Sequence, residues 1–251
     1  MFNLKSKIIL ITGGSRGIGA ACVKYFCMAG ASVAFTYNTN AAAAARIEKR
    51  FSKISKCKAY KVDINNENEI KSVVQSVVKD FGKIDVLVNN AGIWKEGKIS
   101  KIKLSAWEET IKTNLTSAFL FTQHVIRFMK IKRYGKIINI SSTAGQRGEA
   151  HYSHYAASKG GMISFTKSLA SELGPFNINV NSIAPGWVLT DMSKSVLSNK
   201  KSLEEELKKI PLGRIATADD IAGPVLFLAS DMSRHINGEV LNVNGGSVLV
   251  G

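Results

Sequence analysis

The stretch Lys7-Ile8-Ile9-Leu10-Ile11-Thr12-Gly13-Gly14-Ser15-Arg16-Gly17-Ile18-Gly19 reads as a buried strand, a glycine turn and the opening of a helix. The aliphatic run Ile8 to Ile11 suits a strand covered on both faces. Glycines after it permit a tight turn and let backbone N–H groups approach a pyrophosphate at the positive end of the following helix. The spacing is Gly-x-x-x-Gly-x-Gly rather than the commoner Gly-x-Gly-x-x-Gly, and taken alone it also fits an ordinary βα turn. The strand–turn–helix setting favours dinucleotide binding, with Gly13, Ser15, Arg16, Ile18 and Gly19 as contacts.

Outward from this stretch, short β-branched runs alternate with amphipathic segments. The runs are 7–12, 32–37, 59–63, 84–88, 136–140, 178–184 and 240–243, and the segments 18–28, 67–81, 115–129, 155–173 and 219–229 carry apolar residues at helical spacing. The pattern predicts an α/β fold with a doubly wound parallel sheet of about seven strands and helices on both faces. Ligands of such sheets bind beyond the carboxyl ends of the strands, at the topological switch point. Residues 188–215 break the rhythm after Pro185-Gly186, and an irregular insertion of that length is expected to be a lid, with Leu203 to Lys209 as its helical piece.

Composition narrows the function classes. The chain has 251 residues and no linker-like stretch, so a single core-forming domain spanning 1–251 is expected. No apolar run approaches the roughly 20 residues of a membrane span, and no secretory leader pattern is visible, which predicts a soluble, cytoplasmic protein. Cys22, Cys27 and Cys57 form no Cys-x-x-Cys pair, so neither a disulfide framework nor a metal site is expected. The net charge of +15 comes from lysines spread along the chain, which argues for a solvated surface and not for nucleic acid. One denser group, Lys130, Lys132, Arg133 and Lys136, is a candidate docking patch for an acidic partner.

The end of the second strand bears on the choice of dinucleotide. A carboxylate there would bond the adenosine ribose and repel a 2′-phosphate, whereas the chain has Tyr37-Asn38-Thr39. With Arg16 available to pair with the extra phosphate, NADP(H) is preferred over NAD(H). Tyr155 and Lys159 lie one helical turn apart, so an ammonium neighbours a phenol whose ordinary pKa near ~10 needs lowering for proton exchange. Ser142 follows the strand 136–140, where a hydroxyl can hold a carbonyl oxygen against Tyr155, and Ser141 competes for that role. Asn89-Asn90-Ala91-Gly92 and Asn114 read individually as caps or turns.

In order and spacing, the Thr12 to Gly19 turn, Asn89-Asn90-Ala91-Gly92, Ser142, Tyr155 to Lys159 and Pro185-Gly186 resemble the classical short-chain dehydrogenases/reductases over essentially the whole chain. The resemblance implies a single-domain Rossmann-type sheet and a tetrad of Asn114, Ser142, Tyr155 and Lys159. It implies a proton from Tyr155, a carbonyl polarised by Ser142, Lys159 on the nicotinamide ribose, and a relay water on the Asn114 backbone. It further implies adenine contacts at Asp63 and Ile64, a cofactor wall at Asn90, Ala91 and Gly92, and a carboxamide grip at Val188 and Thr190 beyond Pro185 and Gly186. The tail (Ile210-Pro211-Leu212-Gly213-Arg214, Asp220-Ile221-Ala222, Phe227 to Ser230, Val243-Asn244-Gly245-Gly246) is similar to that of 3-oxoacyl-acyl-carrier-protein reductases. That likeness implies an acyl thioester substrate, fatty-acid synthesis, acyl carrier protein docked through Arg133 and nearby lysines, and a homotetramer packed through helices 115–129 and 155–173.

Three departures from that subfamily stand out: Phe176 in place of a second docking arginine, Trp94-Lys95-Glu96 in place of Thr-Arg-Asp, and Tyr152-Ser153-His154 before the tyrosine. They keep open a sugar, polyol or other small carbonyl substrate, to which His151, Tyr152 and His154 would offer hydrogen bonds. A non-catalytic dinucleotide sensor fits less well, since it has no need of Ser142, Tyr155 and Lys159 together.

Overall fold

The computed structural model describes residues 3–250. Its centre is a seven-stranded sheet made of β1 (Ile8–Ile11), β2 (Ser32–Tyr37), β3 (Cys57–Lys61), β4 (Val86–Asn89), β5 (Gly135–Ile140), β6 (Ile178–Pro185) and β7 (Val240–Val243). Every pairing is parallel and the order is β3-β2-β1-β4-β5-β6-β7. The order reverses between β1 and β4, so their carboxyl ends diverge and open a crevice there.

Side-chain alternation along the central strands divides the core in two. Ile9 and Ile11 face the side covered by α1 (Gly17–Met28), α2 (Ala41–Phe51) and, packed on α1, α10 (Ala218–Ala229). Leu10, Ala34, Leu87 and Ile137 face the other side, against α3 (Glu67–Phe81), α5 (Ser117–Lys132) and α7 (Ser153–Leu173). Both layers are closed by aliphatic side chains almost fully withdrawn from water, the arrangement that requires crossover helices on each face.

Local chemistry fixes the helix ends. Asn66 accepts from the N–H groups of Asn68 and Glu69 at the start of α3, and Gly82 ends it at φ 83°. Thr217 and Asp220 form a reciprocal capping box on α10. The start of α1 differs: Arg16 makes no side-chain cap and the first turn carries no acidic residue, so its N–H groups stay available to an anion.

The sheet and its covering helices agree with the expectation from sequence, and several details differ. β3 begins at Cys57, which pairs with Val33, and ends at Lys61, because the Asp63 carboxylate folds back onto the Asn65 N–H and so turns the chain. The segment expected to be one helix from 115 starts as a π-helical turn, Lys112–Thr116, continuous with α4 (Leu104–Ile111) and α5. A short helix, α6 (Thr143–Arg147), follows β5. Residues 188–215 form two short helices, α8 (Lys194–Leu197) and α9 (Lys200–Leu207), and a parallel bridge between Val188 and Ala216 holds the ends of the excursion together.

No helix among the described residues is long and apolar enough to cross a membrane. The three cysteines are buried free thiols.

Candidate active site

The crevice at the switch point is a cavity of about 950 Å³. It runs from Tyr37, Asn38 and Ile64 past the glycine turn to Tyr155 and Lys159, and ends among Trp94, Glu149 and Trp187.

The glycine turn is built by close approach. Gly13 takes φ +69°, and a Cβ on Gly19 would fall 2.2 Å from the Gly13 carbonyl oxygen, so the helix can only rest on the turn without one. The neighbouring strand locks this geometry. Thr12 Oγ1 accepts from the N–H groups of Asn90 (2.9 Å) and Ala91 (3.0 Å), while Asn90 Nδ2 donates back to the carbonyls of Thr12 (2.9 Å) and Gly13 (3.2 Å). Asn89 points the other way, donating to Asn139 and Thr122 beneath the site. The Asn-Asn-Ala-Gly segment thus splits into one residue that braces the sheet and three that wall the cavity.

Of the residues expected to hold a dinucleotide, Gly13, Ser15, Arg16, Ile18, Tyr37, Ile64, Asn90, Ala91, Gly92, Tyr155, Lys159, Pro185, Gly186, Val188 and Thr190 all line this one cavity. Gly19 stands behind the turn, as its packing dictates. The Asp63 carboxylate accepts from Asn65 N–H and its N–H donates to Glu69, while Val62 and Ile64 on either side line the cavity. Arg16 is exposed at the rim, 3.9 Å from Asp191 across the crevice.

Ser142 ends the β5 connection and caps α6, accepting from Ala144 N–H at 3.1 Å. Its hydroxyl shares the cavity wall with the Tyr155 phenol. Ser141 is committed elsewhere, donating to the Ile183 carbonyl at 2.8 Å and accepting from Ser182, which leaves Ser142 the freer of the two hydroxyls. Lys159 donates to the Ile140 carbonyl at 2.7 Å, and its ammonium lies 5.8 Å from the Tyr155 ring centroid.

Burial governs both titrating groups. It pushes the Tyr155 phenol up to about 12, with Ser142 pulling back and Glu149 adding to the rise. It pulls Lys159 down to about 8. The lowering of the phenol expected from Lys159 does not register here, and loss of water sets the direction.

Asn114 sits in the middle of the π-helical turn, wholly buried. Its side chain accepts from Ile93 N–H (2.8 Å) and donates to the Ile93 carbonyl (3.0 Å) and Ser158 Oγ (3.1 Å), clamping the loop after β4 to α7. With the side chain so occupied, what Asn114 has left for chemistry is its main chain, in a turn whose register departs from the α-helical ladder.

The substrate end holds what sequence reasoning missed. Trp94 stacks on Tyr152 with centroids 4.3 Å apart, and meets Trp187 edge-on at 5.6 Å. Trp187 Nε1 donates to Glu206 of α9 at 2.7 Å. His154, expected to offer a hydrogen bond to a polar substrate, is buried against the loop that bears Trp94. The departures at Trp94 and Tyr152 were visible in the sequence, and their mutual contact was the signal in them.

A family model described as enoyl-(acyl carrier protein) reductase matches residues 13–247. The chain belongs to the short-chain dehydrogenase/reductase family. Among curated relatives of this family, the 3-oxoacyl-[acyl-carrier-protein] reductase FabG of Aquifex aeolicus is 41% identical over 97% of this chain and 98% of its own length. The protein of the same name from Vibrio cholerae is 39% identical over 99% of this chain and 100% of its own. The crystal structure of gox2181 superposes with a TM-score of 0.94 at 29% identity, over 98% of this chain and 97% of that one. As a short-chain dehydrogenase/reductase, the chain is an oxidoreductase that uses a nicotinamide dinucleotide.

Proposed function

We propose that this chain reduces the 3-oxo group of an acyl thioester carried on acyl carrier protein, with NADPH as the reductant, in fatty-acid synthesis. The observation that carries the reading is that Ser142, Tyr155 and Lys159 line one cavity with the glycine turn. The full-length likeness to FabG proteins supplies the substrate class.

The tetrad works as follows. Ser142 holds and polarises the substrate carbonyl oxygen, and Tyr155 gives that oxygen its proton as charge develops on it. Lys159 bonds the nicotinamide ribose and, once turned from Ile140, favours the phenolate that Tyr155 leaves. The Asn114 main chain holds the water that returns a proton toward Lys159. When bound, the reduced nicotinamide supplies the hydride. Ser15, Ile18 and the free N–H groups of α1 hold the pyrophosphate, and Arg16 takes the 2′-phosphate, with Tyr37-Asn38-Thr39 in place of a carboxylate at the end of β2. Val188 and Thr190 grip the carboxamide, and the excursion 188–215 closes over the substrate as a lid within one domain.

The carrier docks on Arg133, Lys130 and Lys132. Lys136 leaves this patch: it is 3% exposed, with its ammonium on Asn179 Oδ1 at 2.8 Å. Lys130 lies 4.7 Å from the Phe176 ring centroid, placing a cation beside the position where the second docking arginine is missing. The assembly in this reading is a cytoplasmic homotetramer.

The test is initial-rate kinetics with acetoacetyl thioesters and a panel of sugars, each with NADPH and NADH. Rapid NADPH-dependent thioester reduction is expected. Sugar oxidation with NAD and no thioester turnover would overturn the assignment.

A further inference from the structure

The excursion 188–215 is anchored at its neck, where Leu189 N–H donates to the Ala216 carbonyl at 2.8 Å and Ala216 N–H to the Trp187 carbonyl at 3.2 Å. Farther out, Leu203 and Leu207 of α9 gather with Trp187 on a small apolar cluster of Leu197, Ile210 and Ile215, apart from the two main cores. Such a cluster holds α9 close without fixing its orientation, because apolar attraction is not directional. Direction comes from a polar tie: Trp187 Nε1 donates to Glu206 Oε2 at 2.7 Å, a charge-assisted bond on the cavity wall. The other oxygen of Glu206 accepts from Lys209, an exposed partner whose ion pair contributes little.

The indole held this way rests on a platform. It meets Trp94 edge-on, with centroids 5.6 Å apart and planes at 88°, and Trp94 lies flat on Tyr152 at 4.3 Å and 4°. The loop that bears Trp94 is pinned on both sides: Asn114 bonds both main-chain groups of Ile93, and Gly97 N–H donates to the His151 carbonyl at 2.7 Å. Tyr152 is the N-cap residue of α7, and its carbonyl accepts from Ala156 N–H at 2.8 Å, within the turn that carries Tyr155. Contacts therefore run unbroken from the lid helix to the start of the helix that presents the proton donor. Arg147, Glu149, Glu206 and Lys209 line this end of the cavity, two of each sign, so their charges offset one another and the aromatic contact is left to define the wall.

We infer that Glu206 is a positioning residue: by accepting from Trp187 Nε1 it seats α9 against the Trp94–Tyr152 platform and so sets how tightly the site holds substrate. It does this on the proposed reading of 188–215 as a lid over Tyr155. Removing the acceptor leaves an indole N–H unpartnered in a half-buried wall, which favours the arrangement in which α9 swings away and water reaches that group. The reacting groups stay in place, so the loss falls on substrate binding and KM rises while kcat holds.

Two measurements on the full-length, NADPH-loaded protein test this. One is trypsin cleavage in α9 and just beyond, where Lys200, Lys201 and Lys208 are exposed; the other is kinetics with an acetoacetyl thioester. Glu206→Ala and Trp187→Phe should each speed cleavage and raise KM by about 5- to 20-fold, with kcat within about twofold and the urea midpoint little moved. The double variant should match either single one, since both delete the same bond. Glu206→Gln keeps an acceptor oxygen and loses only the charge facing Lys209, so it should restore both readouts to within about threefold of wild type. Unchanged cleavage in the folded variants, additive losses in the double variant, a Gln variant as impaired as the Ala variant, or a KM that stays put overturns the inference. Absence of thioester turnover in the wild type, beside the expected cleavage pattern, would instead overturn the proposed substrate and leave Glu206 as the residue that seats the lid.

Discussion

The Lys159 ammonium is tied to the carbonyl of Ile140 at 2.7 Å, the last residue of β5 and two positions before Ser142. One side chain thereby joins the strand that delivers Ser142 to the helix that delivers Tyr155. The price in solvation is visible in its titration, drawn from an ordinary 10.5 down to about 8 by burial.

A stability signature follows from that shift. Between about pH 8 and 10.5 the unfolded chain binds the proton that the folded chain has released, so this group's contribution to stability rises with pH across that window. Below it the buried charge costs about 3 kcal/mol, from a shift of ~2.5 pKa units. Lys159→Met should therefore be more stable than wild type relative to that cost at pH 7, and the gap should close by pH 10. Urea unfolding at the two pH values checks it; a gap independent of pH refutes the burial argument.

Tyr155→Phe removes the proton donor and keeps the ring. kcat for carbonyl reduction should fall by about 10²- to 10⁴-fold while NADPH binding persists. Stopped-flow hydride transfer with fluorescence titration of the nucleotide separates the two; retained turnover would show that another group gives the proton.

Arg16→Gln should raise KM for NADPH by about 10- to 100-fold, the worth of a charge-assisted bond of ~1.5–3 kcal/mol, and leave KM for NADH within about twofold. The Arg16–Asp191 pair will not mask this effect, because at 3.9 Å and well exposed it contributes little. Equal losses with both nucleotides would place the 2′-phosphate elsewhere.

Gly145→Ala should lower kcat without touching any reacting group. A Cβ there would lie 2.5 Å from the Lys159 carbonyl carbon and 2.7 Å from Gly160 N, so α6 and α7 must separate. The expected loss is about 10²-fold from misplacement, with thermal melting shifted down by several degrees. An unchanged kcat would show that the spacing of the two helices is not critical.

Arg133→Glu should raise KM for a carrier-bound thioester by about tenfold and leave KM for a small acetoacetyl thioester unaltered. Increasing salt should weaken the wild type toward the variant. The same change with both substrates would argue against docking at Arg133.

The sheet was legible because each strand is a local signal: four aliphatic residues in a row, or a β-branched run, need no partner to be recognised. So was the placement of Tyr155 and Lys159 together, since their relation is one turn of a helix. What the sequence concealed were relations between distant segments. Trp94, Tyr152 and Trp187 meet across three loops, and His154 turns under the loop at Lys95 rather than outward. Lys136 counted as a surface charge until β5 took it inward to Asn179. The π-helical turn at Asn114 also has no pattern of its own, because its neighbours are ordinary helix formers.

The meeting of Trp94 with Trp187 has an optical consequence. The chain holds three tryptophans, and two of them line the cavity 5.6 Å apart, one tethered to α9. Reduced nicotinamide absorbs where indole emits, so excitation energy deposited in these rings drains to a nucleotide bound beside them, and any parting of α9 from Trp187 changes the emission. The protein carries its own reporter dye at the place where substrate arrives.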